Sequence, residues 1–290
     1  MKKIGVMDFI ESLGVTIPPL EQFWKIGDMT ALWLNKNNEF VRLNYHRGPL
    51  LYALVSKYKP KRILEFGTAK GYGTLCMAWA MHDNKIDGQI YSIDSISQSE
   101  LIETPLKRSD GAEHVEAITI KEIWNEVAKP EWFEHIKILT GYSGEVMQNM
   151  RMNNFDFAFI DGGHFYQAVK HDFLSFLQNS SDEFGVLFDD YLDKEGWGVK
   201  KFIDEEVSQS FDVTLIKTDV ENNIKNMNAD DYGMCWVTNN SMTVNFVSEH
   251  QTINNFLQKY RNFEKRQKLR NRINKKLPIL QKIRFRWWAK

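Results

Sequence analysis

The chain has 290 residues, 43% of them hydrophobic and 26% charged, the make-up of an ordinary globular protein able to bury a sizeable core. Its two cysteines, Cys76 and Cys235, lie far apart in apolar surroundings, which excludes a disulfide framework or a zinc spacing and points to a reducing, cytoplasmic setting. A net charge of −1 hides a split: residues 261–290 hold 12 Lys/Arg against one acidic residue, Glu264 (+11), while the other 260 residues carry 25 basic and 37 acidic side chains (−12).

Residues 1–45, broken at Pro18-Pro19 and rich in aromatics (Phe9, Phe23, Trp24, Trp33), read as short helices forming an N-terminal cap. The first 14 residues lack the apolar core of a signal peptide, and no later apolar run approaches the roughly 20 residues of a membrane span. A helical pattern over 48–58 leads to a first strand at 62–66. Further strands are expected at 89–94, 136–140, 155–160, 185–188, 212–217 and 232–238. Helical stretches fall at 74–82, 119–128, 143–152, 165–178 and 197–209. The continuous apolar runs suit a parallel sheet buried on both faces. The predicted fold is α/β: a doubly wound, Rossmann-like seven-stranded sheet with helices on both faces and an antiparallel last strand pair. This domain spans 46–238, and 239–290 forms a helical basic tail. The 41 residues between Asp94 and Ile136 are too many for a turn, and part of that insertion is expected to shape an acceptor pocket.

The richest local signal is Glu65-Phe66-Gly67-Thr68-Ala69-Lys70-Gly71-Tyr72-Gly73-Thr74. An apolar strand runs into a glycine turn and then a helix. Such glycines let the backbone turn sharply and approach a ligand, and the helix start offers free N–H groups. The spacing G-x-x-x-G-x-G after a Glu is not the dinucleotide G-x-G-x-x-G. It resembles motif I of class I S-adenosylmethionine-dependent methyltransferases, which implies a cofactor role for Glu65, Gly67, Thr68, Gly71, Gly73 and Thr74. Asp94 ends the second strand, where a carboxylate can accept both ribose hydroxyls of a nucleoside. Ser143, after the third strand, stands where such enzymes place a polar residue at the adenine edge; capping the next helix would account for it equally well.

Two blocks carry the reactive chemistry: Asp161-Gly162-Gly163-His164 and Asp189-Asp190-Tyr191, each after an apolar strand. Asp161, Asp189 and Asp190 should emerge along one edge of the sheet and repel unless a cation neutralises them. Oxygen ligands suit Mg²⁺, Mn²⁺ or Ca²⁺ better than zinc. The plainer account is that they cap helices or loops. His164 could take a proton from a metal-bound hydroxyl, with Asp172 as the residue expected to orient it.

Together these blocks resemble metal-dependent class I O-methyltransferases, most closely those acting on macrolide sugars (the macrocin and mycinamicin types) and cephalosporin-hydroxylase-like proteins, over roughly residues 45–238. The resemblance implies S-adenosylmethionine as cofactor, bound also by Asp94, Ser143 and Asp161. It implies a divalent cation, Mg²⁺ first, on Asp161, Asp189 and Asp190, with His164 and Asp161 as catalytic residues. The acceptor would be a hydroxyl of a sugar or glycosylated small molecule; Asp190, where catechol enzymes carry Asn, leans away from catechols. The tail, with Lys265-Arg266 and Phe285-Arg286-Trp287-Trp288, suits the inner face of an anionic membrane, docking on the acidic body or, less well, nucleic acid. A homo-oligomer is compatible with everything above. An RNA-modifying enzyme and a non-catalytic or hydroxylase-like relative are the competing functions.

Overall fold

The computed structural model describes residues 1–35, 37–42, 44–218, 233–239 and 250–276. Eight strands form the main sheet, in the order β1 (Lys2–Gly5), β11 (Phe211–Lys217), β12 (Met234–Asn239), β10 (Ser180–Phe188), β9 (Phe155–Ile160), β4 (Arg62–Phe66), β5 (Gln89–Asp94), β8 (Ile136–Thr140). The pairs from β10 to β8 are parallel, and β12 runs antiparallel between β10 and β11. The α/β, Rossmann-like sheet with its antiparallel strands at one end is the fold expected. It has one strand more than predicted. Residues 2–5 pair in parallel with β11 instead of joining a helical cap. Four residues with two lysines carry little apolar signal, so that edge strand could not be read beforehand.

Helices cover both faces. On one lie α1 (Val6–Ser12), α2 (Leu20–Thr30), α3 (Arg47–Tyr58), α4 (Tyr72–Asp83) and α5 (Ile120–Val127). On the other lie α6 (Ser143–Asn149), α7 (Tyr166–Leu177), α8 (Val199–Glu205) and α9 (His250–Lys276). Every residue of α4 from Tyr72 to Met81 is buried, which is why its sequence shows no polar face. β9 is likewise apolar on both sides, with Phe155, Phe157, Ala158, Phe159 and Ile160 all buried.

The insertion after β5 holds an antiparallel hairpin, β6 (Leu101–Lys107) with β7 (Glu113–Thr119), followed by α5. Thr119 and Glu122 close a reciprocal capping box at the start of α5. The N-terminal segment adds the small hairpin β2 (Leu32–Leu34) and β3 (Phe40–Arg42). Two contacts tie these parts to the glycine turn. The Lys70 ammonium donates to the carbonyls of Leu32 (2.6 Å) and Pro105 (3.0 Å). The Trp124 indole donates to the Lys70 carbonyl (2.8 Å). Burial of Lys70 pulls its pKa down to about 7, with Arg47 adding repulsion.

No helix among the described residues is long and apolar enough to cross a membrane. Tyr232, at the start of the last predicted strand, and residues 277–290 of the basic tail lie outside the described residues.

Candidate active site

Strand register places the site. Phe66 of β4 pairs with Ile93 of β5 and Ile160 of β9, and Ile160 pairs with Phe188 of β10. The next residues, Gly67, Asp94, Asp161 and Asp189, therefore leave the sheet in one row. The ladder continues one step into them: N–H groups of Gly67, Asp161 and Asp189 donate to Ile93 (2.9 Å), Phe66 (2.9 Å) and Ile160 (3.1 Å). A cavity of about 800 Å³ opens over this row. It lies where β4 separates strands wound in opposite directions, the usual ligand position of such sheets.

Gly67 is indispensable to the row. Its φ is +93°, and a Cβ there would stand 2.1 Å from the Asp161 carbonyl oxygen. Asp94 lines the cavity and fixes the turn from the side. Its carboxylate accepts from the N–H of Ala69 and of Ile96, both at 2.8 Å. Ala69 is held at φ +47°, a left-handed conformation that a non-glycine residue adopts only under such restraint.

Of the residues expected at the cofactor, Gly67, Asp94, Ser143 and Asp161 line the cavity, whereas Glu65, Thr68, Gly71, Gly73 and Thr74 do not. Those five support the turn from below. Glu65 is only 1% exposed and accepts from the hydroxyls of Thr74 and Ser92, while Thr68 bonds to Ser92. Burial pushes Glu65 up to about 7. A Cβ on Gly73 would meet Glu65 and Phe159, and one on Gly71 (φ +94°) would enter the Trp124 ring. Gly71 is thus covered by α5. The insertion shields the motif turn, and the cavity wall draws only on its first two residues, Ser95 and Ile96. Ser143 does not cap α6, whose capping position is Tyr142; its hydroxyl instead donates to Glu264 of α9 at 3.4 Å.

At the other end of the row the acidic cluster is crossed by a cation that sequence reasoning missed. Arg47, the first residue of α3, places one guanidinium nitrogen 2.8 Å from both Asp161 and Asp189. Asn44 and the Asp190 N–H donate to the other oxygen of Asp189 at 2.7 and 2.8 Å. Asp189, expected as a metal ligand, is thereby saturated and 3% exposed. The group whose ligand atoms lie within 4.8 Å of one another is Asp161, His164 and Asp190. Asp190 reaches it through a left-handed backbone (φ +60°), which turns consecutive carboxylates to different partners.

His164 bonds through Nδ1 to Asp190 (3.0 Å), and its ring stacks on Trp197 with centroids 4.4 Å apart. Asp172 does not orient it. That carboxylate instead bonds the buried His171 at 2.9 Å, because α7 turns both residues inward. Burial alone would disfavour the imidazolium, but the Asp190 bond and the charges of Asp190 and Asp189 outweigh it and raise the His164 pKa. Burial, with repulsion among Asp161, Asp189 and Asp190, drives Asp161 well above the carboxylate range and Asp189 upward, against the pull of Arg47.

A second unforeseen contribution comes from α9. Its buried stripe Ile253, Leu257, Tyr260, Glu264 packs on α6 and α7, and Tyr260, Phe263, Glu264 and Gln267 form part of the cavity wall. The first half of the basic segment is therefore a wall of the site. For Glu264 the available signal was an isolated acid continuing an apolar i, i+4, i+7 pattern. For Arg47 there was none.

Several known proteins resemble this chain. The O-methyltransferase TomG of Streptomyces achromogenes, involved in tomaymycin synthesis and solved in complex with SAM, is 18% identical over 81% of this chain and 96% of its own, with a TM-score of 0.49. An O-methyltransferase from Bacillus cereus, solved with SAH, is 17% identical over 81% and 97%, also at 0.49. The uncharacterized protein y4gI of Sinorhizobium fredii is 26% identical over 158 residues, 53% of this chain but only 16% of that much longer relative. Residues 64–191, from β4 through the Asp189-Asp190-Tyr191 block, match the family described as a methyltransferase domain.

Proposed function

We propose that the protein transfers a methyl group from S-adenosylmethionine to a hydroxyl oxygen of a sugar or glycosylated small molecule. The observation that carries this reading is the row Asp94, Gly67, Asp161, Asp189. A cavity-lining carboxylate, Asp94, stands at one end, where it would bind a ribose, and an imidazole held by a carboxylate at the other. β5 and β10 are three strand steps apart, roughly 14 Å at the usual spacing, about the reach of an extended nucleoside-linked amino acid. The cavity lies in the upper part of the roughly 300–1,000 Å³ range of small-molecule sites, enough for donor and acceptor together.

S-adenosylmethionine, when bound, supplies a methyl group on a positively charged sulfur. His164 acts on the acceptor. Asp190 engages Nδ1, fixing the ring and leaving Nε2 to take the hydroxyl proton. His164 would hold that proton while the acceptor oxygen receives the methyl group the cofactor would supply. Asp94 fixes the ribose, and Gly67 lets the backbone approach, so positioning supplies much of the rate.

The donor set fits a divalent cation. Three carboxylates face one guanidinium, and burial first, then repulsion among them, raises the pKa of Asp161 and Asp189 despite Arg47, so a second cation would be favoured there. Asp161 and Asp190 would hold the ion, which when bound would polarise the acceptor oxygen. The half-exposed Trp33 ring and Asn44, on the same wall, offer a flat apolar face beside a polar group, as a sugar ring requires. The exposed Lys259, Lys265, Arg266 and Arg270 of α9 suit an anionic membrane surface, where lipid-linked or envelope glycans would be met.

Calorimetric titration of S-adenosylmethionine, with Mg²⁺ and then with EDTA, tests the reading, followed by methyl transfer to a panel of glycosides. Binding in both buffers with Mg²⁺-dependent turnover is expected. Absence of binding in either removes the methyltransferase reading and favours a non-catalytic or hydroxylase-like relative.

A further inference from the structure

Lys194 lies on the loop between β10 and α8 and forms part of the cavity wall that also holds His164. The loop is tied to the site at both ends. The Leu192 N–H donates to the Asp190 carbonyl (2.8 Å) and the Gly198 N–H to the His164 carbonyl (2.7 Å), while the Trp197 N–H turns back to the Lys194 carbonyl (2.9 Å). Gly198 packs so closely that a Cβ there would stand 2.2 Å from the Tyr166 nitrogen. The Lys194 ammonium sits 3.8 Å from the centre of the Trp197 ring, the same ring on which His164 stacks. Asp193 and Glu195 flank Lys194 in the sequence, yet no carboxylate among the described residues pairs with it.

Arg47, the other Lys or Arg on that wall, is engaged by Asp161 and Asp189. Carboxylates line much of the rest: Asp94, Asp161, Asp172, Asp189, Asp190 and Glu264. An anionic group is repelled from most of this surface and attracted at one place on it. We propose that the acceptor is an acidic sugar, a hydroxyl compound whose carboxylate or phosphate is engaged by Lys194 while the hydroxyl faces His164. This rests on the methyltransferase reading above and narrows its acceptor. A lysine binds such groups as a point charge, which suits either anion. Attraction at one position with repulsion elsewhere fixes the orientation of the acceptor and turns away the wrong one. Lys194 itself repels an imidazolium at His164, so its charge gives no help to proton removal.

The test is calorimetric binding of methyl glucoside, methyl glucuronide and glucose 6-phosphate to the full chain with S-adenosylhomocysteine bound. An ion pair at an exposed position is worth up to roughly fivefold in affinity, so at least one acidic compound should bind about three- to fivefold more tightly than the neutral one at low salt. The advantage should fade in about 0.5 M NaCl. The acid that gains more identifies the anion as carboxylate or phosphate. Lys194→Met should bring the ratio of acidic to neutral affinity close to one, Lys194→Glu should reverse it and Lys194→Arg should preserve it. Equal affinity of the unaltered protein for all three compounds, absence of binding included, overturns the proposal with no variant needed. An advantage that Lys194→Glu retains overturns it too, leaving Lys194 a solvated surface lysine. In both cases S-adenosylhomocysteine still binds and the methyltransferase reading survives. Absence of binding of S-adenosylmethionine and S-adenosylhomocysteine by the unaltered protein overturns both.

Discussion

Replacing Arg47 by Met tests the electrostatics of the site. The substitution keeps most of the side-chain volume and removes the one charge among the described residues that bonds both Asp161 and Asp189, each at 2.8 Å. Removing one partner of a buried pair leaves the other charge uncompensated, at about 3–5 kcal/mol. For a domain of this size that is a fall in melting temperature of roughly 6–10 °C. The loss should depend on pH. The folded-state pKa values of Asp161 and Asp189 are already raised and rise further without Arg47, so the folded variant binds more protons than the unfolded chain. Its stability therefore falls as pH rises through the window above the ordinary carboxylate range. The gap from the unaltered protein should be largest at pH 8 and shrink at pH 5, and millimolar Mg²⁺ should restore part of it. Scanning fluorimetry at both pH values, with and without Mg²⁺, measures this. A variant that melts with the unaltered protein at pH 8 would refute the account of a charge-strained cluster.

His164→Gln should lower methyl transfer by roughly 10²–10⁴-fold, as loss of a general base does, while calorimetry shows cofactor binding unchanged. Glu65→Gln should gain stability relative to the unaltered protein as pH rises from 5 to 8 in urea titrations. The folded pKa of Glu65 is about 7 against an ordinary 4.5, so ionising it in the folded state costs stability over that window, a term the amide lacks. Gly67→Ala forces a side chain into left-handed backbone, at about 1–2 kcal/mol, and drives it into the Asp161 carbonyl. Lower melting temperature together with lost cofactor binding is expected, and retention of both would show that the turn can relax. Chelation should abolish turnover but leave cofactor affinity intact, since Asp94 ends β5, on the far side of β4 and β9 from Asp190.

The sheet was legible because its strands are buried on both faces: continuous apolar runs such as 155–160 cannot be solvated helices or loops. The acidic row was legible for the same reason, since carboxylates that follow such runs must emerge together. What the sequence hid depends on distant segments. Nothing local in Asn44-Tyr45-His46-Arg47 announces a guanidinium for carboxylates 114 and 142 residues away. The motif residues Glu65 and Thr74 look like ligands in a linear pattern, yet a strand interior and a helix underside turn them away from the cavity. His171-Asp172 and His164-Asp190 could be sorted only once α7 and the left-handed turn at Asp190 had fixed their directions.

The polar links of the site join residues far apart in sequence: Asn44 to Asp189 across 145 residues, and Ser143 to Glu264 across 121. Closing such loops is entropically expensive and tends to come late in folding. The central sheet can thus form around its own core before either end of the chain has docked, leaving the cavity with neither its cation nor its far wall. Proteolysis or fraying at either end would silence the protein without unfolding the sheet. Hydrogen exchange should show α3 and α9 opening before β4 and β9, so that the loss of function precedes the loss of fold.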